Sequence, residues 1–227
     1  MDMEVLADAD AVARRAAQLI AAAARDAVVA RGRFVFAVSG GRTPWVMLRV
    51  LAAEDVPWRN VHIAQVDERV APAGDPDRNL THLRDSLLSR APLRAEQIHA
   101  MPVECTDLTS AAGRYAATLA AVSGSPPLLD LVHLGLGADG HTASLLPNDA
   151  ALDVVDSDIA ITGPYQGRRR MTLTYPAIDR ARRILWVVTG ADKSAALGRL
   201  RDGDRGIPAG RVRRDSAVLL ADRDAVR

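Results

Sequence analysis

Short β-rich apolar runs alternate along the chain with longer runs that favour helix. Several of the short runs are apolar throughout, as strands buried on both faces of a parallel sheet should be. The predicted strands are Phe34 to Val38, Val61 to Val66, Leu129 to Leu134, Ile184 to Val188 and Ala217 to Leu220. The predicted helices are Ala11 to Ala30, Pro44 to Ala53, Asn79 to Ser89, Leu108 to Val122 and Lys193 to Arg201.

This alternation predicts an α/β fold, with a Rossmann-like, mostly parallel sheet flanked by helices. A further hairpin is expected within residues 158–174. The polar, chain-breaking segment from Ser123 to Pro127 suits a helix-to-strand connection better than a domain boundary. We therefore expect residues 1–227 to form a single domain.

The composition is typical of a water-soluble globular protein, with 48% hydrophobic and 25% charged residues in a chain of 227. No apolar stretch approaches the roughly 20 residues that a membrane-spanning helix needs, and the acidic start does not suit a signal peptide. A net charge of +1 offers no general attraction for nucleic acid or for an anionic membrane. The single cysteine, Cys105, cannot form an internal disulfide, which fits the reducing cytoplasm expected for this protein.

Ligands of open α/β sheets bind beyond the carboxyl ends of the strands, so the loops that follow strands hold the candidate site residues. The first such loop runs from Ser39 to Pro44 and contains Gly40 and Gly41, which permit close approach of the backbone. Thr43 can cap the next helix, and Pro44 suits its first turn. Exposed N–H groups there would bind a phosphate, although the same residues also suit a plain strand-to-helix turn.

Ser39 permits a second interpretation of this loop, as the nucleophile of a serine hydrolase. The residues from Ala37 to Gly41 differ from the Gly-x-Ser-x-Gly elbow only at the first position, and Asp130 and His141 follow in the required order. In such an elbow the helix begins at the nucleophile, whereas Thr43 and Pro44 delay the helix here. The phosphate-binding interpretation is therefore favoured.

The second loop begins with three charged residues, Asp67, Glu68 and Arg69, directly after a predicted strand. A carboxylate can accept hydrogen bonds from sugar hydroxyls, and an arginine offers a planar fork that suits phosphate. The alternative is a loop whose charges only face water.

The third loop, from Leu134 to Thr142, contains the glycine pattern Gly-x-Gly-x-x-Gly at 135, 137 and 140. A dinucleotide site would need a long helix to start there, but Pro147 follows within seven residues. The loop instead displays Asp139 and His141, and His141 is the only one of five histidines that lies in a glycine-rich loop after a strand. Zinc is not expected, because no second histidine lies at ligand spacing and Cys105 is remote.

A fourth group of cations lies further along the chain. Arg168, Arg169 and Arg170 precede a β-like run, and Lys193, the only lysine among 29 basic residues, lies at the start of a predicted helix. Positive charge at a helix start opposes the helix dipole, which points to an anionic partner. An arginine triplet alone more often faces water.

Taken together, these loops resemble those of the 6-phosphogluconolactonase family, within the wider glucosamine-6-phosphate isomerase/deaminase group. The segments that carry the resemblance are Ser39 to Pro44, Val66 to Arg69, Gly135 to Leu145, Arg170 to Thr174, Gly190 to Lys193 and Ile207 to Ala209. Ala138 stands where the family usually has proline, and Arg42 where serine is common. Deaminases of the group typically carry Asp-Glu-Tyr where this chain has Asp67-Glu68-Arg69.

The resemblance implies hydrolysis of 6-phospho-D-glucono-1,5-lactone, without a cofactor or a required metal. The sequence does not reveal the oligomeric state, and a monomer is expected. His141 would act as the general base, because neutral imidazole can take a proton from the attacking water and return it to the leaving ring oxygen. Asp139 or Glu68 would orient its ring. The residues expected to bind the substrate are Gly40, Gly41, Arg42, Thr43, Asp67, Arg69, Gly137, Arg170 and Lys193.

Other functions remain open on the sequence alone. A glucosamine-6-phosphate deaminase or isomerase shares most of these loops, and a non-catalytic sugar-phosphate sensor would share the phosphate-binding residues. No nucleic-acid or membrane partner is expected.

Overall fold

The computed structural model describes all of residues 1–227. Six helices flank a seven-stranded, wholly parallel sheet, and a smaller antiparallel sheet of three strands lies beside it. The strands are β1 (Asp2–Leu6), β2 (Phe34–Val38), β3 (Val61–Gln65), β4 (Asp67–Arg69), β5 (Ile98–His99), β6 (Leu131–Leu134), β7 (Ile159–Ile161), β8 (Arg170–Leu173), β9 (Ile184–Val188) and β10 (Ala217–Asp222). The α-helices are α1 (Ala9–Arg31), α2 (Arg42–Leu51), α3 (Asn79–Leu83), α4 (Leu108–Ser123), α5 (Tyr175–Asp179) and α6 (Ser194–Asp202).

The strand order in the large sheet is β1-β10-β9-β6-β2-β3-β5, and β4-β8-β7 form the small sheet. The predicted α/β architecture with a parallel sheet is thus confirmed, as is the expected hairpin, which is β7 and β8. A single domain stays a prediction. None of the helices combines the length and the apolar content that crossing a bilayer requires.

The central strand β2 is buried on both faces, which explains why it is apolar throughout. Phe34, Phe36 and Val38 pack on the face covered by α1 and α2. Val35 and Ala37 pack on the other face, within a cluster that also receives side chains of the small sheet. Both faces therefore hold the carboxyl end of β2, and the loop after it, in place.

The structure departs from the predicted elements chiefly in three ways. The helix expected from Asn79 to Ser89 ends as α3 at Leu83 and continues as one π-helical turn over residues 84–88. Lys193 ends a short 3₁₀ turn, and α6 begins one residue later. Three strands were not predicted at all, namely β1, β4 and β5, which lie at the edges of the two sheets.

Candidate active site

The loops that follow β2, β6 and β9 meet at the carboxyl edge of the large sheet, because these strands are parallel neighbours. They contribute the glycine turn after β2, the Asp139–His141 loop after β6 and Lys193 after β9. The small sheet adds Arg69 at the end of β4 and Arg170 at the start of β8, which pair in register. Residues distant in sequence therefore lie around one cleft.

A neighbouring asparagine leaves no space for a side chain at Gly40 in the glycine turn. A Cβ atom on Gly40 would lie 2.0 Å from Oδ1 of Asn79, so only glycine fits there. Helix α2 begins at Arg42 with Gly41 as its N-cap and without a side-chain cap. The predicted capping role of Thr43 is wrong, because its hydroxyl is hydrogen-bonded to the hydroxyl of Thr189 at 2.6 Å.

His141 and Asp139 form a hydrogen-bonded pair. Nδ1 of His141 lies 2.5 Å from Oδ1 of Asp139, and the same oxygen accepts the backbone N–H of His141 at 3.1 Å. The loop is closed by the N–H of Gly137, which donates to the carbonyl of His141 at 2.8 Å. Nε2 of His141 makes no hydrogen bond within the protein, so a neutral ring presents a free lone pair on that atom.

Gly137 supports this pair by having no side chain. A Cβ atom there would lie 2.1 Å from Nδ1 of His141 and 2.5 Å from Oδ1 of Asp139. Its N–H group is already used within the loop. The backbone of Gly137 thus fixes the position of the imidazole.

The side chain of Asp139 is ionised at neutral pH. Its partial burial would raise the pKa, but the backbone N–H and the imidazole of His141 outweigh this and hold the pKa below its ordinary value. A negative carboxylate at Nδ1 keeps the proton on that nitrogen and stabilises the imidazolium formed when Nε2 takes a proton.

Glu68, the other carboxylate considered as a partner for His141, has a structural role instead. It is fully buried and accepts hydrogen bonds from the backbone N–H groups of Arg69, Asn79 and Leu80, each at 2.8 Å. It also pairs with the buried Arg78 at 3.2 Å. Glu68 therefore joins β4 to α3, and Asp139 is the carboxylate that contacts the imidazole of His141.

Arg170 is a buried cation without a carboxylate partner. Only 5% of the residue is exposed, its Nε has no hydrogen-bond partner, and its two terminal nitrogens make long contacts of 3.4 Å to Ser144 and Gln166. Burial lowers the pKa of its guanidinium, and the nearby carboxylate of Asp67 only partly offsets this. Donors of a buried charge that lack partners are costly, so this geometry favours an anionic ligand.

Arg69, Lys193 and Asp67 complete the charged lining. Arg69 donates to Oδ1 of Asn79 at 2.6 Å, which aims its guanidinium along the cleft. Nζ of Lys193 lies 3.0 Å from Asp192, a largely exposed carboxylate. Asp67 is buried and accepts a hydrogen bond from the hydroxyl of Ser144 at 2.6 Å.

Two adjoining cavities share the glycine turn. The first, of about 190 Å³, contains His141 and most of the predicted substrate-binding residues. The second, of about 490 Å³, is lined by Arg42 and Thr43, which do not line the first. Lys193 lies between the two cavities and lines both. The structure thus brings most of the predicted residues together with His141, and separates Arg42 and Thr43 from it.

The serine-hydrolase interpretation is wrong. The hydroxyl of Ser39 donates to the carbonyl of His133 at 3.0 Å, inside the protein. Asp130 lies before β6, at the opposite edge of the sheet, where it accepts the N–H of Val35 and pairs with Arg31. Ser39, Asp130 and His141 are therefore not one constellation.

Sequence reasoning gave no role to three residues of the cleft. Asn79 fills the space beside Gly40 and aims Arg69, Ser144 holds Asp67, and Tyr165 contacts both Asp139 and Arg170. Asn79 and Tyr165 lie on elements that meet the cleft only through tertiary packing, and Ser144 reaches Asp67 across 77 residues of sequence, so local patterns gave no signal for these roles.

Comparison with known proteins places this geometry in context. The family model described as glucosamine-6-phosphate isomerases/6-phosphogluconolactonase matches residues 7–220. The chain is 38% identical over 202 residues to a 6-phosphogluconolactonase of Nostoc sp., covering 87% of this chain and 84% of the relative. It is 34% identical to the 6-phosphogluconolactonase of Mycobacterium tuberculosis, covering 98% and 96%.

A solved structure titled as a 6-phosphogluconolactonase from Shewanella baltica superposes on the fold with a TM-score of 0.84. It is 26% identical, and the match covers 98% of this chain and 97% of that one. The likeness therefore extends over nearly the whole chain.

Proposed function

Because the chain belongs to the glucosamine-6-phosphate isomerase/6-phosphogluconolactonase family, we propose that it hydrolyses 6-phospho-D-glucono-1,5-lactone to 6-phosphogluconate. The observation that carries the proposal is the pairing, in one cavity, of a histidine with a free Nε2 and a buried arginine without a carboxylate partner. The first suits proton transfer to and from water, and the second suits a phosphate. The relatives compared above bear the name of this activity.

His141 acts as the general base. As a water oxygen forms a bond to the lactone carbonyl carbon, one of its protons passes to Nε2. The tetrahedral intermediate then collapses, the bond from that carbon to the ring oxygen breaks, and the imidazolium returns the proton to the ring oxygen. Asp139 stabilises the imidazolium during the interval, because its carboxylate lies 2.5 Å from Nδ1.

The phosphate is bound by charge and by backbone. Arg170, Arg69 and Lys193 lie around the cavity that holds His141, and Gly40 and Gly41 line it with main-chain atoms. Arg42 and Thr43, at the start of α2, contribute from the adjoining cavity. Asp67 accepts a hydrogen bond from a sugar hydroxyl.

An intramolecular ester opened by water requires no electron transfer, so the reaction needs no cofactor. We further propose that the protein works as a monomer in the cytoplasm. It binds neither nucleic acid nor membranes, which suits a chain with a net charge of only +1.

The decisive experiment is a lactonase assay with freshly generated substrate, corrected for spontaneous opening. The parent protein should form 6-phosphogluconate well above background. His141→Ala should lose roughly 10² to 10⁴-fold in kcat, the usual contribution of a positioned base, and should still bind 6-phosphogluconate in calorimetry.

His82→Ala is the matched control, because this histidine lies on α3, stacks on Trp45 and lines neither cavity. It should retain the parent rate. Parent-like turnover in His141→Ala would exclude the base assignment. Release of ammonia from glucosamine 6-phosphate by a parent that leaves the lactone intact would instead assign the deaminase activity.

A further inference from the structure

The tip of the β7–β8 hairpin is a rigid turn close to the cleft. Tyr165 and Arg168 exchange two backbone hydrogen bonds, of 2.9 and 3.2 Å, around Gln166 and Gly167. Both central residues have positive φ, 52° and 78°, which is the geometry of a tight two-residue hairpin turn. Arg168 forms ion pairs with Asp75 at 3.0 Å and Asp77 at 2.8 Å, so the tip is fastened to the loop before α3.

This turn directs the side chain of Tyr165 at the Asp139–His141 pair and at Arg170. Its hydroxyl lies 3.4 Å from Oδ2 of Asp139, the oxygen that His141 does not use. Its ring meets the imidazole of His141 edge-on, with centroids 6.0 Å apart. On the ring face lies the guanidinium of Arg170, with Cζ 4.9 Å from the centroid.

We propose that Tyr165 is a positioning residue for the hydrolysis, holding the Asp139–His141 pair and Arg170 at a fixed separation. This inference rests on the proposed function, in which Asp139 orients the base and Arg170 binds the phosphate. The hydroxyl restrains the free oxygen of a carboxylate that is itself partly exposed, and so limits rotation of the group that orients the imidazole. The ring face attracts a guanidinium that has no carboxylate partner, and so keeps it turned towards the cleft.

The two contacts can be separated by substitution. Tyr165→Phe keeps the ring and removes the hydroxyl, so kcat should fall about threefold, as expected for the loss of a long and therefore weak hydrogen bond, while KM changes little. Tyr165→Leu removes both contacts, so kcat should fall and KM for the phosphorylated lactone should rise as well. The phenyl ring should thus rescue KM without rescuing kcat.

A double-mutant cycle tests whether the hydroxyl acts through Asp139. In an Asp139→Asn background, Tyr165→Phe should cause no further loss of kcat, because the carboxylate it restrains is already absent. Arg169→Ala serves as the control on the same hairpin, since this exposed arginine lines none of the cavities around the cleft. It should leave kcat and KM at the parent values.

The outcomes separate this inference from the function on which it rests. A parent protein that does not hydrolyse the lactone excludes the proposed function and the role of Tyr165 with it. An active parent whose Tyr165→Phe variant keeps the parent kcat excludes only the positioning role. The positioning role is also excluded if Tyr165→Phe lowers kcat by the same factor in the Asp139→Asn background as in the parent. It is likewise excluded if kcat, KM and thermal stability all change together in both Tyr165 variants, because a merely structural role would produce that pattern.

Discussion

Among single residues, Arg170 lowers the folding stability of the protein, because it is buried without a carboxylate partner. A buried guanidinium with an unsatisfied Nε weakens folding, yet the same unused donors are what an anionic substrate requires. Arg170→Met fills similar space without charge. It should raise KM for the phosphorylated lactone at least tenfold, leave turnover of unphosphorylated gluconolactone unchanged, and stabilise the fold by about 1 kcal/mol.

Parallel assays on the two lactones, with chemical denaturation of both proteins, check this trade-off. Arg169→Met is the matched control, and it should alter neither KM nor stability. An Arg170→Met protein that is less stable than the parent, with unchanged discrimination between the two lactones, would show that this arginine serves the core rather than the substrate.

Gly137 illustrates how one missing side chain leaves room for the proposed catalytic pair, Asp139 and His141. A methyl group at this position would overlap Nδ1 of His141 and Oδ1 of Asp139, so Gly137→Ala must displace the pair. A displacement of about 1 Å can cost on the order of 100-fold in rate, and kcat should fall by that amount. Gly113→Ala, where α4 leaves open space for the new methyl, should retain full activity.

At the scale of the element, the strands that were predicted with the correct limits are buried on both faces. Strands β2 and β9 are apolar throughout because both faces are covered, and their predicted limits agree with the structure. Strand β4 consists of three charged or polar residues, and its pairing with β8 defines it, so it has no local pattern to find. The edge strand β1 was missed for the related reason that part of it is exposed.

Replacing glycine with alanine should have opposite effects on stability at the end of a helix and in its interior. Gly32 closes α1 with φ at 75°, whereas Gly198 lies within α6, and neither position has any atom within 4 Å of an added Cβ. Gly32→Ala should therefore destabilise the protein by about 1 kcal/mol through backbone strain, and Gly198→Ala should stabilise it by about 0.5–1 kcal/mol through helix propensity. Urea denaturation measures both, and shifts of the same sign would contradict the assignment of these helix limits.

At the scale of the whole molecule, most of the site could be predicted because parallel strands present their following loops at one edge. That rule located Gly40, His141 and Lys193 without any knowledge of strand order. It could not assign Asn79 or Tyr165, because their places depend on how α3 and the β7–β8 hairpin pack against that edge. It also could not show that Arg42 and Arg170 line different cavities.

Burial of histidines makes the stability of the molecule depend on pH. Burial lowers the pKa of His133 to about 3, and burial also lowers the pKa values of His62 and His99, which stack on each other. Each of these histidines has a lower pKa in the folded protein than in the unfolded chain. The folded protein is therefore most stable above about pH 6.5, where the histidines are neutral in both states, and it loses stability at lower pH because the unfolded chain binds protons first.

Unfolding free energies measured from pH 7.5 down to pH 5.5, above the range of most carboxylates, should therefore decline. His133 stays neutral down to about pH 3, so it should contribute a slope approaching 1.4 kcal/mol per pH unit below about pH 6. Replacing both His62 and His99 with glutamine should reduce the slope without removing it, because His133 continues to act. Stability that stays constant across this interval would mean that the three imidazoles are protonated in the folded protein, and that β6 accommodates a charge at its centre.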